Sequence, residues 1–335
     1  MAGYLDFDLA PVAPRGALGG VPVIDLSARH DQVVTDIARA CAEWGFFQVI
    51  GHGVPGGDLE RVIAAARAYF AEPRKVKRAN LRSRDNPWGY YDRELTKEQR
   101  DRKEVFDIGP DAGAMPISDG GPFDGATPWP NAPIAFEPVM REWYGRMELL
   151  SDRLVALIGE GLGDSGGELH SAFTPAHTSY LRLNYYPAGD PLAAELGAEA
   201  DFGIHHHTDA GALTVLLQDG VSGLQVYRDG QWHDVEPTPG AFTVNIGDMM
   251  QVWSNDHYRA PQHRVLAMDE RERISIPYFY NPAYSADIRP LVEPARYRTL
   301  NWGEFRRRRA DGDFANYGIE VQIGEWRIAQ TDAAP

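Results

Sequence analysis

The chain has 335 residues, enough for one large domain with a substantial core or for two modest ones. With 43% hydrophobic and 24% charged residues, its composition is that of an ordinary globular protein. A net charge of −15 argues against a nucleic-acid or anionic-membrane partner, because like charges repel, and says nothing about a small-molecule substrate.

Residues 1–20 carry Pro and Gly without a basic start or an apolar signal-like stretch, and read as a flexible lead-in. No run approaches the roughly 20 apolar residues of a membrane span. The single cysteine, Cys41, permits no internal disulfide and fits a reducing compartment, so a cytoplasmic protein is expected. Val21–Leu26 reads as a short strand. Asp31–Glu43 has helical spacing at Val33, Ile37, Ala40 and Cys41, and Gly45–Ile50 is a compact apolar strand. Asp58 is placed to cap a second helix running through Phe70, with Leu59, Val62, Ile63 and Ala66 inward. Residues 74–104 are so rich in charge that an exposed segment is expected. Within it, Arg74-Lys75-Val76-Lys77-Arg78 reads as a solvated helix end rather than an anion patch. Residues 109–133, rich in Gly, Pro and Asp, read as an extended surface loop.

The clearest helix follows, with Phe136, Val139, Met140, Trp143, Met147, Leu150, Leu154, Leu157 and Ile158 recurring every three or four residues. From Tyr180 the pattern becomes β-rich. Strands are expected at 180–186, 213–218, 223–227, 231–235, 241–246, 249–253, 263–268 and 273–280, with Arg228-Asp229-Gly230 as a hairpin turn. Eight strands at this spacing suggest a double-sheet jelly roll. The tail, with four arginines at 306–309, reads as a charged helix followed by a strand near 320–323. The expected fold is mainly β with flanking helices: an N-terminal α/β region (21–160) packed on a distorted double-stranded β-helix core (175–330).

His207-Thr208-Asp209, with His263 fifty-six residues after the first histidine, offers two imidazoles and one carboxylate. Residues two apart on a strand share a face, and His263 opens another strand that can bring the third ligand. Such a set occupies one face of an octahedral ion and leaves positions open for chemistry, which suits Fe(II). His205 shares the expected face of His207, so a His205, His207 and His263 set of zinc or cupin-like, non-oxidative type is the alternative. His206 points the other way. Arg273 and Ser275 again stand two apart, and their guanidinium and hydroxyl can hold a carboxylate. Taken alone, an R-x-S reads better as a structural salt bridge. Asn184 and Tyr186 present an amide and a phenol from one face, though the segment reads almost equally as a strand packing its rings.

Taken in order, Val21-Pro22-Val23-Ile24-Asp25-Leu26, Trp44-Gly45-Phe46-Phe47-Gln48-Val49, Gly51-His52-Gly53-Val54-Pro55, Asn184-Tyr185-Tyr186-Pro187, His207-Thr208-Asp209, Gly223-Leu224-Gln225, Asn245-Ile246-Gly247-Asp248, Trp253-Ser254-Asn255, His263-Arg264-Val265 and Arg273-x-Ser275 resemble the isopenicillin N synthase-like family of Fe(II)/2-oxoglutarate-dependent dioxygenases. The resemblance spans most of the chain. It implies Fe(II) on His207, Asp209 and His263, and 2-oxoglutarate on Arg273 and Ser275 with Asn184 and Tyr186 assisting. It also implies O₂-driven oxidation of an unactivated C–H of a small secondary metabolite, by hydroxylation, desaturation or cyclisation, with release of succinate and CO₂. Phe279 is implied as a substrate-pocket aromatic, and Tyr90 and Tyr91 lie where the family's N-terminal region meets substrate. Isopenicillin N synthase and the aminocyclopropane-carboxylate oxidases share the triad and R-x-S without using 2-oxoglutarate; Asn184 and Tyr186 lean towards its use here. The His205-His206 pair is a departure from the family pattern.

Overall fold

The computed structural model describes residues 20–83, 86–110, 125–174, 176–197, 199–313 and 321–329. The expected lead-in, most of the 109–133 loop and Glu320 lie outside these residues. The N-terminal part runs β1 (Val23–Asp25), α1 (His30–Glu43), β2 (Phe46–Ile50), α2 (Gly56–Phe70), α3 (Arg74–Lys77), β3 (Gly89–Tyr91), β4 (Leu95–Thr96), β5 (Gln99–Arg100), β6 (Glu104–Ile108) and the long α4 (Phe136–Gly161). After α5 (Glu168–Ser171) come β7 (Tyr180–Tyr186), α6 (Ala193–Leu196), β8 (Phe202–His207), β9 (Leu213–Gln218), β10 (Leu224–Arg228), β11 (Gln231–Asp234) and β12 (Phe242–Ile246). The chain then continues through α7 (Asp248–Trp253), β13 (His263–Leu266), β14 (Arg273–Tyr280), β15 (Asp287–Ile288), β16 (Leu300–Asn301) and α8 (Trp302–Asp313).

An eight-stranded sheet, ordered β1-β2-β12-β9-β14-β7-β6-β3, stands opposite a four-stranded sheet, β11-β10-β13-β8. This is the expected double-sheet jelly roll, and the N-terminal region contributes four strands to its larger sheet. The alternation of side chains explains how the sheets divide their work. On β14, Ile274, Ile276, Tyr278 and Tyr280 enter the large core that the helices cover, where α4 buries Phe136, Met140, Trp143, Met147, Leu150, Leu154, Leu157 and Ile158. The opposite face of the same sheet, with Tyr186, Leu216 and Phe46, meets Leu224, Val226 and Val265 of the smaller sheet in a second core. Between β10 and β11, Asp229 and Gly230 have φ of 48° and 81°. Positive values at both central residues are what a two-residue hairpin of this twist demands, so the Asp-Gly pair closes it.

Four expectations are corrected. Residues 249–253 form α7, not a strand: Met249, Met250, Val252 and Trp253 are all buried, and a continuous apolar run carries no period that separates the two. The segment expected as a strand near 320–323 is a 3₁₀ turn at Ile323–Trp326, followed by a single bridge between Arg327 and Tyr297. Asp58 does not cap α2; the helix starts at Gly56 behind Pro55, leaving Asp58 in the first turn. The 74–104 segment is not exposed throughout. Lys77, Asp92, Glu94, Asp101, Arg102 and Lys103 are buried, because their charges pair with one another and with the core strands.

Candidate metal and co-substrate centre

His207, Asp209 and His263 converge, and among the described residues they are the group that could hold a metal ion, with one ligand atom each lying within 4.8 Å of the others. Nε2 of His207 and of His263 stand 3.6 and 3.7 Å from Asp209 Oδ1. Separations of this size would let one divalent ion be held by all three side chains. His207 ends β8, and His263 opens β13 directly opposite it in the register. Asp209 lies just beyond β8, so the shared-strand-face expectation fails for it. A turn brings it round instead. The backbone N–H groups of Gly247, Asp248 and Met249 bond the carbonyls of Ala212, Asp209 and Gly211. A Cβ on Gly247 would stand 2.3 Å from the Gly211 carbonyl, so only glycine permits this approach.

The hydrogen bonds around the three side chains select which atoms face the ion. Nδ1 of His207 donates to the His205 carbonyl (2.8 Å) and Nδ1 of His263 to the Pro261 carbonyl (3.2 Å). Each Nε2 lone pair is thereby left for a metal. Asp209 Oδ2 accepts from Thr214 Oγ1 (2.5 Å) and Asn245 Nδ2 (2.7 Å), which leaves Oδ1 inward. Burial, reinforced by the adjacent His263, pushes the His207 imidazole down to about 3, keeping it neutral. Burial alone would raise the Asp209 carboxyl, but the two imidazoles and the two hydrogen bonds outweigh it and hold the group below its ordinary range. Neutral imidazole beside carboxylate is the donor set a divalent ion requires.

His205 is not a partner in this cluster, which corrects the three-histidine alternative. Its Nδ1 and its backbone N–H both bond Asp101 Oδ1, at 3.0 and 3.2 Å. Its carbonyl then orients His207. His206 is exposed and lies edge-on to Trp232.

Arg273, Ser275, Asn184 and Tyr186 also come together. The β14–β7 register sets Arg273 against Tyr186 and Ser275 against Asn184. Ser275 Oγ lies 3.3 Å from Asn184 Nδ2 and 3.4 Å from the Tyr186 hydroxyl. Arg273 is fully buried, held by Gln218 (2.9 Å) and the Val221 carbonyl (3.1 Å), with its Cζ 4.9 Å from the centre of the Tyr186 ring. Its Nη1 and the Asn184 Oδ1 are buried with no hydrogen-bond partner. An orphaned guanidinium nitrogen beside two hydroxyls fits an absent carboxylate, because a buried donor of this kind is costly to leave unsatisfied.

One cavity contains both groups, and Phe279 lines it as well. Tyr90 and Tyr91 do not: Tyr90 is fully buried with its hydroxyl on Glu104 (2.8 Å), and Tyr91 lies under the Arg82 guanidinium. The sequence reading overlooked Lys103, Arg182, Arg306 and Arg309, which all line the cavity. Arg182 makes a bidentate pair with Asp107 and reaches Glu94. Lys103 bonds Glu94 and Asp101. The available signal for the last two arginines was their separation of three in a helix, which sets them on one face.

A double-sheet barrel with two imidazoles and a carboxylate at its mouth defines a non-haem metal oxygenase site. Residues 177–282 match the model of the 2OG-Fe(II) oxygenase superfamily, and residues 21–132 that of the non-haem dioxygenase in morphine synthesis N-terminal family. The chain belongs to the 2OG-Fe(II) oxygenase superfamily and is a dioxygenase that uses Fe(II), 2-oxoglutarate and O₂ on small molecules. It is 34% identical to DMR6-LIKE OXYGENASE 2 of Arabidopsis thaliana, over 85% of this chain and 82% of that one. Gibberellin 2-beta-dioxygenase 5 of Oryza sativa subsp. japonica is likewise 34% identical, over 92% and 87%. A crystal structure of JOX2 in complex with 2OG, Fe and JA superposes with a TM-score of 0.75 at 32% identity, covering 89% of this chain and 86% of that chain. Among the described residues no helix is long and apolar enough to cross a membrane.

Proposed function

We propose that His207, Asp209 and His263 hold the Fe(II), and that Arg273 and Ser275, assisted by Asn184 and Tyr186, take the distal carboxylate of 2-oxoglutarate. The observation that carries this reading is the buried, unpartnered Arg273 Nη1 in the same cavity as the triad. When bound, iron with 2-oxoglutarate and O₂ supplies oxidation of an unactivated C–H, with succinate and CO₂ released. The protein's share is placement. The His205 and Pro261 carbonyls keep both Nδ1 atoms protonated, while Thr214 and Asn245 fix the carboxylate rotamer. Phe46, Leu216, Leu224 and Val265 give the cavity an apolar lining that limits water near the reacting centre. Phe279, stacked on Tyr180 at 4.6 Å, forms the platform on which substrate lies. The gibberellin in one relative's name supports a secondary metabolite as substrate.

The test is anaerobic reconstitution with Fe(II) and 2-oxoglutarate, then admission of O₂ and assay of succinate. His207→Ala and Asp209→Ala should each abolish iron-dependent succinate formation. Stoichiometric zinc in anaerobically purified protein, with no optical response to Fe(II) and 2-oxoglutarate, would count against the site assignment.

A further inference from the structure

The groups that hold Arg273 in place leave its charge unspent. Nε donates to the Val221 carbonyl at 3.1 Å, and Nη2 donates to Oε1 of Gln218 at 2.9 Å. Both acceptors are neutral. A carboxylate in either place would pair with the guanidinium and compete with an anionic ligand for it.

An acidic residue does stand close by in the chain, since Asp219 follows Gln218 directly. Its side chain is 1% exposed, and both of its oxygens are occupied elsewhere. Oδ1 accepts from the Val221 N–H at 3.2 Å. Oδ2 accepts from the Ile274 N–H at 2.9 Å and from Nη2 of Arg67, on α2, at 2.7 Å. The bond to Val221, two residues on, closes an Asx-turn, which fixes the stretch of backbone whose carbonyl holds Arg273. Arg67 meanwhile supplies the countercharge for Asp219.

Gln218 is set in turn by Thr243. On β9, Gln218 stands opposite Ser275 of β14, and Leu216, two residues earlier on the same face, stands opposite Thr243 of β12. Thr243 is therefore a diagonal neighbour of Gln218, within side-chain reach. Nε2 of Gln218 donates to Thr243 Oγ1 at 3.0 Å. A guanidinium can only donate, so the amide oxygen must face Arg273 and the amide nitrogen must face Thr243. Thr243, 1% exposed, is the acceptor that keeps the amide from turning over.

We propose that Gln218 and Thr243 are positioning residues for the co-substrate: Thr243 orients the Gln218 amide, and the amide sets the Arg273 fork without neutralising it. Both act through Arg273, so the inference rests on the reading of that arginine given above. The chemistry of position 218 follows. Alanine would leave Nη2 without its acceptor, and glutamate would supply an acceptor but take the charge that a carboxylate ligand needs.

The test is anaerobic titration of 2-oxoglutarate into the full chain loaded with Fe(II), followed by the visible absorption of the complex. Thr243→Val should raise the dissociation constant about threefold or more, the scale of one hydrogen bond. Thr243→Ser, which keeps the hydroxyl, should stay within about twofold of wild type. Gln218→Ala should also raise it about threefold or more, and Gln218→Glu at least as much as Gln218→Ala. A merely structural role predicts the opposite order for that pair, because glutamate matches glutamine in shape. Urea unfolding and Fe(II) affinity, measured on each variant, show that it is folded with its metal centre intact. The inference is overturned if Thr243→Val or Gln218→Ala raises the constant by less than about threefold. It is also overturned if Thr243→Ser loses as much as Thr243→Val, or if Gln218→Glu binds 2-oxoglutarate more tightly than Gln218→Ala. A wild-type protein with no saturable response to 2-oxoglutarate, or an Arg273→Gln variant that binds it as wild type does, would overturn the underlying site assignment instead.

Discussion

Replacing Arg273 by Gln separates co-substrate binding from the metal centre. In the folded chain the guanidinium is fully buried, spends Nε on the Val221 carbonyl and one Nη on Gln218, and leaves Nη1 without a hydrogen-bond partner. Loss of one partner of a buried, hydrogen-bonded charge pair costs about 2–5 kcal/mol. Each 1.4 kcal/mol or so is a factor of ten, so the dissociation constant of 2-oxoglutarate should rise by about 30-fold to several thousand-fold. A separate cost of about 1–3 kcal/mol in stability is expected, because the Val221 carbonyl and Gln218 lose their donor. Arg273→Lys should fall between, since an ammonium keeps the charge and loses the fork. The assay is anaerobic titration of 2-oxoglutarate into Fe(II)-loaded protein, with urea unfolding of the free protein reporting the stability cost. Iron affinity should change little, because Arg273 makes no contact with the three ligands. A dissociation constant within threefold of wild type would refute the assignment.

Two further outcomes follow from hydrogen bonds around the site and at the C-terminal turn. Asp101→Asn weakens the anchor of His205, whose carbonyl orients His207, so the Fe(II) dissociation constant should rise about tenfold or more; unchanged iron affinity would remove Asp101 from that chain of contacts. Burial alone would raise the Asp256 carboxyl, but hydrogen bonds from Arg327, Tyr297 and Gln251 outweigh it and bring it to about 2. A carboxyl depressed in the fold stabilises it above the unfolded value near 3.9 and loses that contribution as pH falls towards 2. After allowance for solvent screening around the half-exposed Arg327, the contribution is about 1 kcal/mol. The urea-unfolding gap between wild type and Asp256→Asn should therefore narrow from about pH 5 to pH 3, and a constant gap would contradict it.

The parts of the site that were legible in the sequence are those where local geometry does the placing. Arg273 with Ser275, and Asn184 with Tyr186, sit on the regular strands β14 and β7, so a period of two is enough to set each pair on one face. That the pairs would oppose each other across one register depends on sheet order, which no local pattern contains. His207 and Asp209 come together with His263 for a reason the strand period only half explains, since β8 ends at His207 and a turn held against Gly247 delivers the carboxylate. The helical stripe of α4 was legible because one face of a long helix is buried. α7 was not, because all its faces are. Arg306 and Arg309 read as a solvated helix face, since sequence gives charge and spacing without saying which side of α8 meets a cavity.

The charged 74–104 segment misled for a more general physical reason. Charge density predicts exposure only where each ion would be buried alone. Here Arg82, Glu94, Asp101, Lys103, Asp107 and Arg182 pair across β3–β7, and Arg102 joins in by bonding the Met268 carbonyl and Asp269 beyond β13. Burial would raise the Glu94 carboxyl, yet Arg182, Lys103 and Arg82 together hold it well below the ordinary carboxylate range. Such pairs add little net stability over apolar packing, but removing one member strands the rest and costs about 3–5 kcal/mol. The network therefore acts as a registration device. It fastens the N-terminal strands to β7, which carries Asn184 and Tyr186, and through Asp101 to β8, which carries His207. Glu94, Leu95, Thr96 and Lys103 become part of the cavity wall by the same pairing. A segment that the sequence presents as solvent-facing thus lines the site.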